Sequence, residues 1–177
     1  PNKLVGIDKI VRIHKPHGYK ATSAERNFRI LEDVIDPTPN ALYYKAQEQF
    51  LSGKYPECYE TSKKALIFES LEDTLRYDVL TNLGRIAPEK ERLKWLGEAI
   101  TLQPDRREAY FWAGQEYASK GKWLKCWGVM RSCMTLPRPK NHYWNLNEAI
   151  YQWQAMDLYE TASVSVNELG EAQKIKK

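Results

Sequence analysis

The sequence predicts an all-α fold, a stack of helix-turn-helix repeats, and three observations predict it. The stretch SGKYPECY, from Ser52, returns 68 residues later as KGKWLKCW, from Lys120, with Gly, Lys, an aromatic, Cys and a second aromatic in matching slots. That distance is twice 34, and steps of 34 join Gly53 to Ala87 and Gly121, Ala46 to Leu80 and Gly114, and Ala65 to Ala99 and Cys133. Each period also holds two stretches of helical apolar spacing separated by a turn, the signature of one supersecondary unit used repeatedly.

Taken in order, residues 1–21 alternate apolar side chains at Val5, Ile7, Ile10 or Val11, and Ile13, which reads as an extended segment. A strand needs a sheet, so this segment is read as the tail of a domain lying upstream, and the chain, which begins at Pro1, as an excised piece. Thr22 and Glu25 form a capping box that opens a helix over Ser23 to Ile35, closed by Asp36-Pro37, giving a half-repeat at 22–37. The repeat domain, 22–177, then continues in four units, 40–72, 73–106, 107–140 and 141–174.

In the first unit ALYYKAQEQFLS places Leu42, Tyr43, Ala46 and Phe50 at helical spacing, and Gly53 supplies the left-handed conformation that ends the helix. Its second helix starts near Pro56, where a missing N–H costs nothing. The middle unit is degenerate, with Ala87-Pro88 in place of the glycine turn, yet EAITLQPD closes it in register. In the third, AYFWAGQEYASK precedes Gly121 and WLKCWGVMRSCMTL precedes Pro137. Ala46 and Gly114 are the small residues that let paired helices approach, and Tyr55 and Trp123 are expected to be buried at the corners. The last unit is read as a helix over His142–Gln154 and a partner over Leu158–Lys174 with Tyr159 at the corner. Its outer surface is expected to be polar because nothing stacks on it.

Composition narrows the function classes. Six Trp, eleven Tyr and four Phe are too many large rings for a disordered chain. The net charge of +4 belongs to residues 1–20, where Lys3, Lys9, Arg12, Lys15 and Lys20 face Asp8 alone. The remaining 157 residues carry 22 basic against 22 acidic side chains, which argues against nucleic acid as a partner. No apolar run is long enough for a bilayer span, and the expectation is a soluble, cytoplasmic protein with no membrane partner. Cys58, Cys126 and Cys133 form no zinc spacing and read as buried reduced thiols. Residues 40–177 offer no catalytic constellation. Carboxylates such as Glu57, Glu60, Glu89 and Glu91 fall on polar helix faces with no His or nucleophile beside them, His142 reads as a capping or packing residue, and no phosphate-binding loop is present.

The pattern of Tyr110, Gly114, Tyr117, Gly121, Trp123, Cys126, Cys133 and Pro137, echoed by Ala46, Gly53, Tyr55, Cys58 and Ala65 and by Ala99 and Pro104, resembles the tetratricopeptide repeat over residues 40–137. That resemblance implies a right-handed superhelical stack. Tyr43, Tyr77 and Phe111 then form a ladder on its concave face, within a groove of Asn40, Tyr43, Gln47, Tyr77, Thr81, Arg85, Phe111, Gln115 and Asn145 that would take a peptide or a sugar across the rings. The same ladder also fits rings that simply pack against the next helix.

A second resemblance covers residues 10–60. Arg12, Ile13, His14, Ser23, Arg26, Asn27, Ile30, Leu31, Glu32 and Asn40 to Tyr43 resemble the junction between catalytic and repeat regions in bacterial and phage family 2 glycosyltransferases. It implies an upstream GT-A type domain with a D-x-D site for Mn2+ or Mg2+ and a nucleotide sugar, with His14 as a candidate metal ligand of that domain or a structural residue of its last strand. This chain has no D-x-D and is not expected to catalyse transfer alone. Its repeats would position an acceptor protein or mediate self-association. The alternative is a free-standing adaptor that binds a peptide or protein in its groove.

Overall fold

The structure, a computed structural model, describes residues 37–140 and 146–175. Among them all regular structure is helical: α1 (Pro39–Leu51), α2 (Tyr55–Leu66), α3 (Asp73–Ile86), α4 (Glu89–Leu102), α5 (Arg107–Ser119), α6 (Trp123–Thr135), and a π-helical turn (Ile150–Gln154) running into α7 (Ala155–Ile175). Helices α1, α3 and α5 begin 34 residues apart, and so do α2, α4 and α6, so the period read from the sequence is the structural one. The extended segment 1–21, the helix expected at Ser23–Ile35, and His14, His142 and Asn145 lie outside the described residues.

The chain divides between Leu75 and Arg76 into two compact units. In the first, Thr38 caps α1 by accepting the Ala41 N–H at 3.2 Å, and Pro39 occupies the first helical position. Ala41, Leu42, Tyr43 and Ala46 of α1 are buried with Cys58 and Ala65 of α2. The small Ala46 lets the facing helix reach its backbone, where the Cys58 thiol donates to the Ala46 carbonyl at 3.2 Å.

Gly53 and Gly121 have φ of 71° and 64°, the only positive values among the described residues. Each closes its helix with the same two bonds. Lys54 N–H donates to Gln49 O and Gly53 N–H to Phe50 O at 2.9 and 3.1 Å, while Lys122 donates to Tyr117 and Gly121 to Ala118, both at 2.9 Å. This is the six-to-one and five-to-two pattern of a left-handed helix stop. The middle hairpin needs no such residue. Ala87 N–H continues to Leu83 O at 2.8 Å, Pro88 starts the next helix at φ −50°, and Arg92 Nε donates to the Ala87 carbonyl at 2.9 Å.

In the second unit α5, α6 and α7 enclose Phe111, Cys126, Met130, Cys133, Ile150, Ala155, Leu158 and Ala162. A Cβ on Gly114 would stand 2.5 Å from Met130 Sδ and 3.2 Å from Leu158 Cδ2, so this glycine is the close-approach point of its hairpin. In the middle hairpin that point is Gly84, whose added Cβ would overlap Leu96 Cγ and lie 2.5 Å from Leu96 Cδ2. The sequence register pointed to Leu80 instead. Leu80 is itself a buried core residue, and the approach moves one helical turn along.

Three further expectations are corrected. The final segment does not break into a hairpin: the helix continues through Ala155-Met156-Asp157-Leu158, which holds neither Gly nor Pro to stop it. Tyr55 is 49% exposed; its ring leans on Phe50 at 5.7 Å instead of filling a corner, and Trp123 is half-buried. The outward side of the π-helical turn and α7 is less polar than expected: Trp153, Met156 and Val164 are exposed there among the exposed Gln152, Asp157, Glu160 and Thr161.

Candidate interaction surface

The first helices of the second and third hairpins, α3 and α5, lie side by side. Tyr77 Oη accepts the Ala109 N–H at 3.0 Å, and the Arg85 guanidinium sits 4.1 Å from the centre of the Trp112 ring. Beneath this surface is a buried ionic cluster. Arg106, the residue before α5, is 1% exposed. Its Nη1 donates to Asp78 Oδ1 at 3.2 Å, and its Nη2 and Nε donate to Glu108 Oε1 and Oε2 at 3.2 and 3.3 Å. The guanidinium also lies 4.0 Å from the Tyr77 ring centre. From the π-helical turn, Tyr151 donates to Glu108 Oε2 at 2.9 Å and accepts the Arg107 N–H at 3.0 Å. The Asn147 N–H donates to Glu108 Oε1 at 3.4 Å.

One cation here serves two carboxylates and a ring. Burial opposes the Arg106 charge, yet the hydrogen bonds and charge of Glu108, with Asp78, hold its pKa above the ordinary guanidinium value. Burial, with the Glu108 charge beside it, pushes the Tyr77 and Tyr151 phenols upward, so both remain protonated. Arg107 ties the same region to the end of α6, its Nε donating to the Leu136 carbonyl at 2.7 Å and its Nη2 to the same oxygen. A second cluster joins α4 to α5. Glu116 accepts from Arg92 at 3.2 Å and Lys120 at 2.7 Å, and Lys120 also reaches Glu89 at 3.0 Å. Lys120 is raised by its bonds to Glu116 and Glu89, and Glu89 is lowered by Lys120.

Of the residues assigned to the groove, Tyr43, Tyr77 and Phe111 are buried, so their rings serve packing and do not line an open face. Thr81 is buried too, and its Oγ1 has no hydrogen-bond partner among the described residues. Arg85 and Gln115 are exposed, whereas Asn40 and Gln47, in the first unit, are half-buried. The solvent-facing side chains among these assigned residues are therefore Arg85 and Gln115, which flank the ladder. Sequence reasoning missed Asp78, Arg106, Glu108 and Tyr151. The available signal was the charged run Asp105-Arg106-Arg107-Glu108 at a helix start, where solvated side chains are the ordinary expectation. Among the described residues no group of His, Cys, Asp and Glu is placed to hold a metal ion, and no helix is long and apolar enough to cross a membrane.

Known proteins locate the fold. No family model and no curated protein matches the chain. Solved structures do. The chain is similar to a double mutant of MamA from strain RS-1, at 17% identity and TM-score 0.61, and to MamA from residue 41 to its end from Desulfovibrio magneticus RS-1, at 18% and 0.59. Both alignments cover 96% of this chain and 92% of the other. A further MamA crystal structure aligns at 15% identity and TM-score 0.53 over 84% of this chain and 90% of that one. The fold is a tetratricopeptide-like helical repeat. At these identities the likeness concerns the fold alone.

Proposed function

We propose that the chain is a helical-repeat adaptor that binds a peptide or protein partner along α3 and α5, the first helices of its second and third hairpins. The observation that supports this reading is the locked pairing of α3 and α5, which sets the exposed Arg85, the Trp112 ring beneath it and the exposed Gln115 on neighbouring helices. A guanidinium over an indole offers a flat apolar surface with fixed donors at its edge, and such a surface takes a peptide backbone or a carboxylate at low entropic cost. The buried Arg106 cluster holds the two helices in register. The test is a displayed peptide library selected on the full chain. Peptides so selected lose at least about tenfold in affinity, roughly 1.4 kcal/mol, on Arg85→Glu and keep it on Lys94→Glu, an exposed change on α4. Equal binding by both variants would refute this placement.

A narrower reading, a region of a glycosyltransferase that positions an acceptor or drives self-association, rests on sequence resemblance alone. None of the comparisons supports it. Ala41, Leu42 and Tyr43 are buried in the first hairpin, where packing accounts for them. The adaptor reading needs no upstream domain and is preferred.

A further inference from the structure

The π-helical turn and α7 carry large apolar side chains on two opposite sides. Ala155, Leu158 and Ala162 face inward and are buried. Trp153, in the π-helical turn, with Met156 and Val164 of α7 are 58%, 46% and 57% exposed. Within α7, at about 100° per residue, Met156, Asp157, Glu160 and Val164 fall in one sector across the helix from the buried stripe; the exposed Trp153 of the π-helical turn precedes them, and the span from Trp153 to Val164 rises about 16 Å, three turns. A surface helix ordinarily turns polar residues to the side away from the core, and large apolar side chains interspersed with carboxylates there are the composition of a docking face. In a stack of helices the outer face of the last member stays polar unless another helix continues the stack.

The charge on this face indicates what the next layer carries. Asp157 and Glu160 are exposed, form no ion pair among the described residues, and are the only ionisable carboxylates or amines between Ala149 and Asn167 apart from tyrosine phenols; no Lys or Arg occurs there. Glu160 lies midway along the apolar stripe. A second copy in two-fold contact would set Glu160 against itself, and an anionic lipid surface would meet two carboxylates. A cation flanked by apolar residues meets the face on both terms.

We propose that this face of α7 docks an amphipathic helix of a partner protein that carries a Lys or Arg within its apolar stripe, so that the cation meets Glu160 while apolar side chains cover Trp153, Met156 and Val164. The site is distinct from the α3–α5 surface and does not depend on it. The test uses two fluorescein-labelled leucine-based helical peptides of about 18 residues, long enough to cover three turns, with Lys or Glu at the centre of the apolar stripe. Fluorescence anisotropy with the full chain is expected to show saturable binding of the Lys peptide at least about tenfold tighter than of the Glu peptide. Trp153→Ser is expected to weaken the Lys peptide about tenfold, and Glu160→Lys to invert the preference. Both changes are on exposed side chains, so unchanged circular dichroism melts accompany them. Failure of the Lys peptide to bind, equal binding of the two peptides, or loss of preference without inversion in Glu160→Lys, overturns the proposal. So does a Trp153-dependent dimer in sedimentation, or Trp153-dependent binding to phosphatidylserine vesicles.

Discussion

Gly84→Ala is the sharpest test of the helix packing, because its sign opposes what helix propensity predicts. Alanine in a helix interior is favoured over glycine by about 0.8–1.0 kcal/mol. At position 84, however, the new methyl would overlap Leu96 Cγ and stand 2.5 Å from Leu96 Cδ2, where comfortable carbon contacts need about 3.5–4.0 Å. Relief requires a shift of roughly 1 Å by a side chain that is fully buried. Overpacking of this kind costs about 1–3 kcal/mol, and contact with two atoms of an immobile leucine places it near the upper end. Set against the propensity gain, the net loss is about 2 kcal/mol, or a drop in melting temperature of about 4–8 °C for a chain of this size. Gly97→Ala and Gly128→Ala provide the control. Both positions are mid-helix with nothing within 4 Å of an added Cβ, so each is expected to raise stability by about 0.5–1 kcal/mol. Gly114→Ala meets chiefly the more pliant Met130, with Leu158 Cδ2 at 3.2 Å, and should fall between, whereas Gly114→Leu drives further into both and should cost several kcal/mol. Urea and thermal unfolding followed by circular dichroism rank the four alanine variants. If Gly84→Ala is as stable as the parent, or Gly97→Ala is less stable, the close approach of α3 and α4 is wrong.

Arg106→Ala strands Asp78 and Glu108 in the interior without their cation and should cost about 3–5 kcal/mol, read as an unfolding midpoint; a midpoint equal to the parent's would show that the cluster is hydrated. Tyr151→Phe removes the hydroxyl that bridges Glu108 and the Arg107 N–H, with an expected loss of about 1–2 kcal/mol by the same assay. All three thiols are fully buried, and burial lifts Cys58 and pushes Cys126 to about 11 and Cys133 to about 12. At pH 8 they should therefore react with a disulfide reagent far more slowly than free cysteine until urea unfolds the chain, and prompt labelling of the native protein would contradict the core assignment. Glu148, hydrogen-bonded by Arg138 at 2.6 Å, titrates below an ordinary glutamate, so the pair's contribution is present at neutral pH and is lost as pH falls through that lowered value. Carboxyl resonances followed by nuclear magnetic resonance should show the Glu148 midpoint rise in Arg138→Gln, and no rise would mean that the pair does not form in solution.

How far the fold was legible depends on the range of the physics involved. Gly53 and Gly121 could be identified because a left-handed helix stop is decided by one residue and its neighbours. Counting 34 from Pro39 and Tyr55 then locates every helix start through Trp123. The close approach in the middle hairpin could not be counted out this way. Gly84 is one turn from the periodic position, and it is marked only by Leu96 lying opposite, a fact of packing between helices. The same limit applied to the surface. The 34-residue ladder Tyr43, Tyr77 and Phe111 is real as a register but turns inward, since periodicity fixes which side of a helix residues share and leaves open which side faces solvent.

Arg106 carries this reasoning furthest. In sequence it is one charge among four in Asp105-Arg106-Arg107-Glu108, and a run of charges at a helix start is normally solvated. It becomes a buried guanidinium because two residues far away in sequence complete it: Asp78, 28 positions before it, directly, and Tyr151, 43 positions beyond Glu108, through that carboxylate. Tyr151 belongs to a π-helical turn, where a widened turn changes the direction in which its side chains leave the helix. Such turns recur where a helix must deliver a side chain that regular geometry would misplace, and here the side chain delivered closes the cluster that joins α3, α5 and the start of the last helix. A polar network of that kind adds less to stability than well-packed apolar residues of similar volume could, but it tolerates only one alignment of its members. The surface proposed to carry the peptide at Arg85 and Gln115 therefore draws its spacing from the buried Asp78, Arg106 and Glu108 and the half-buried Tyr151, and Tyr151→Phe should loosen peptide binding at Arg85 without touching the peptide.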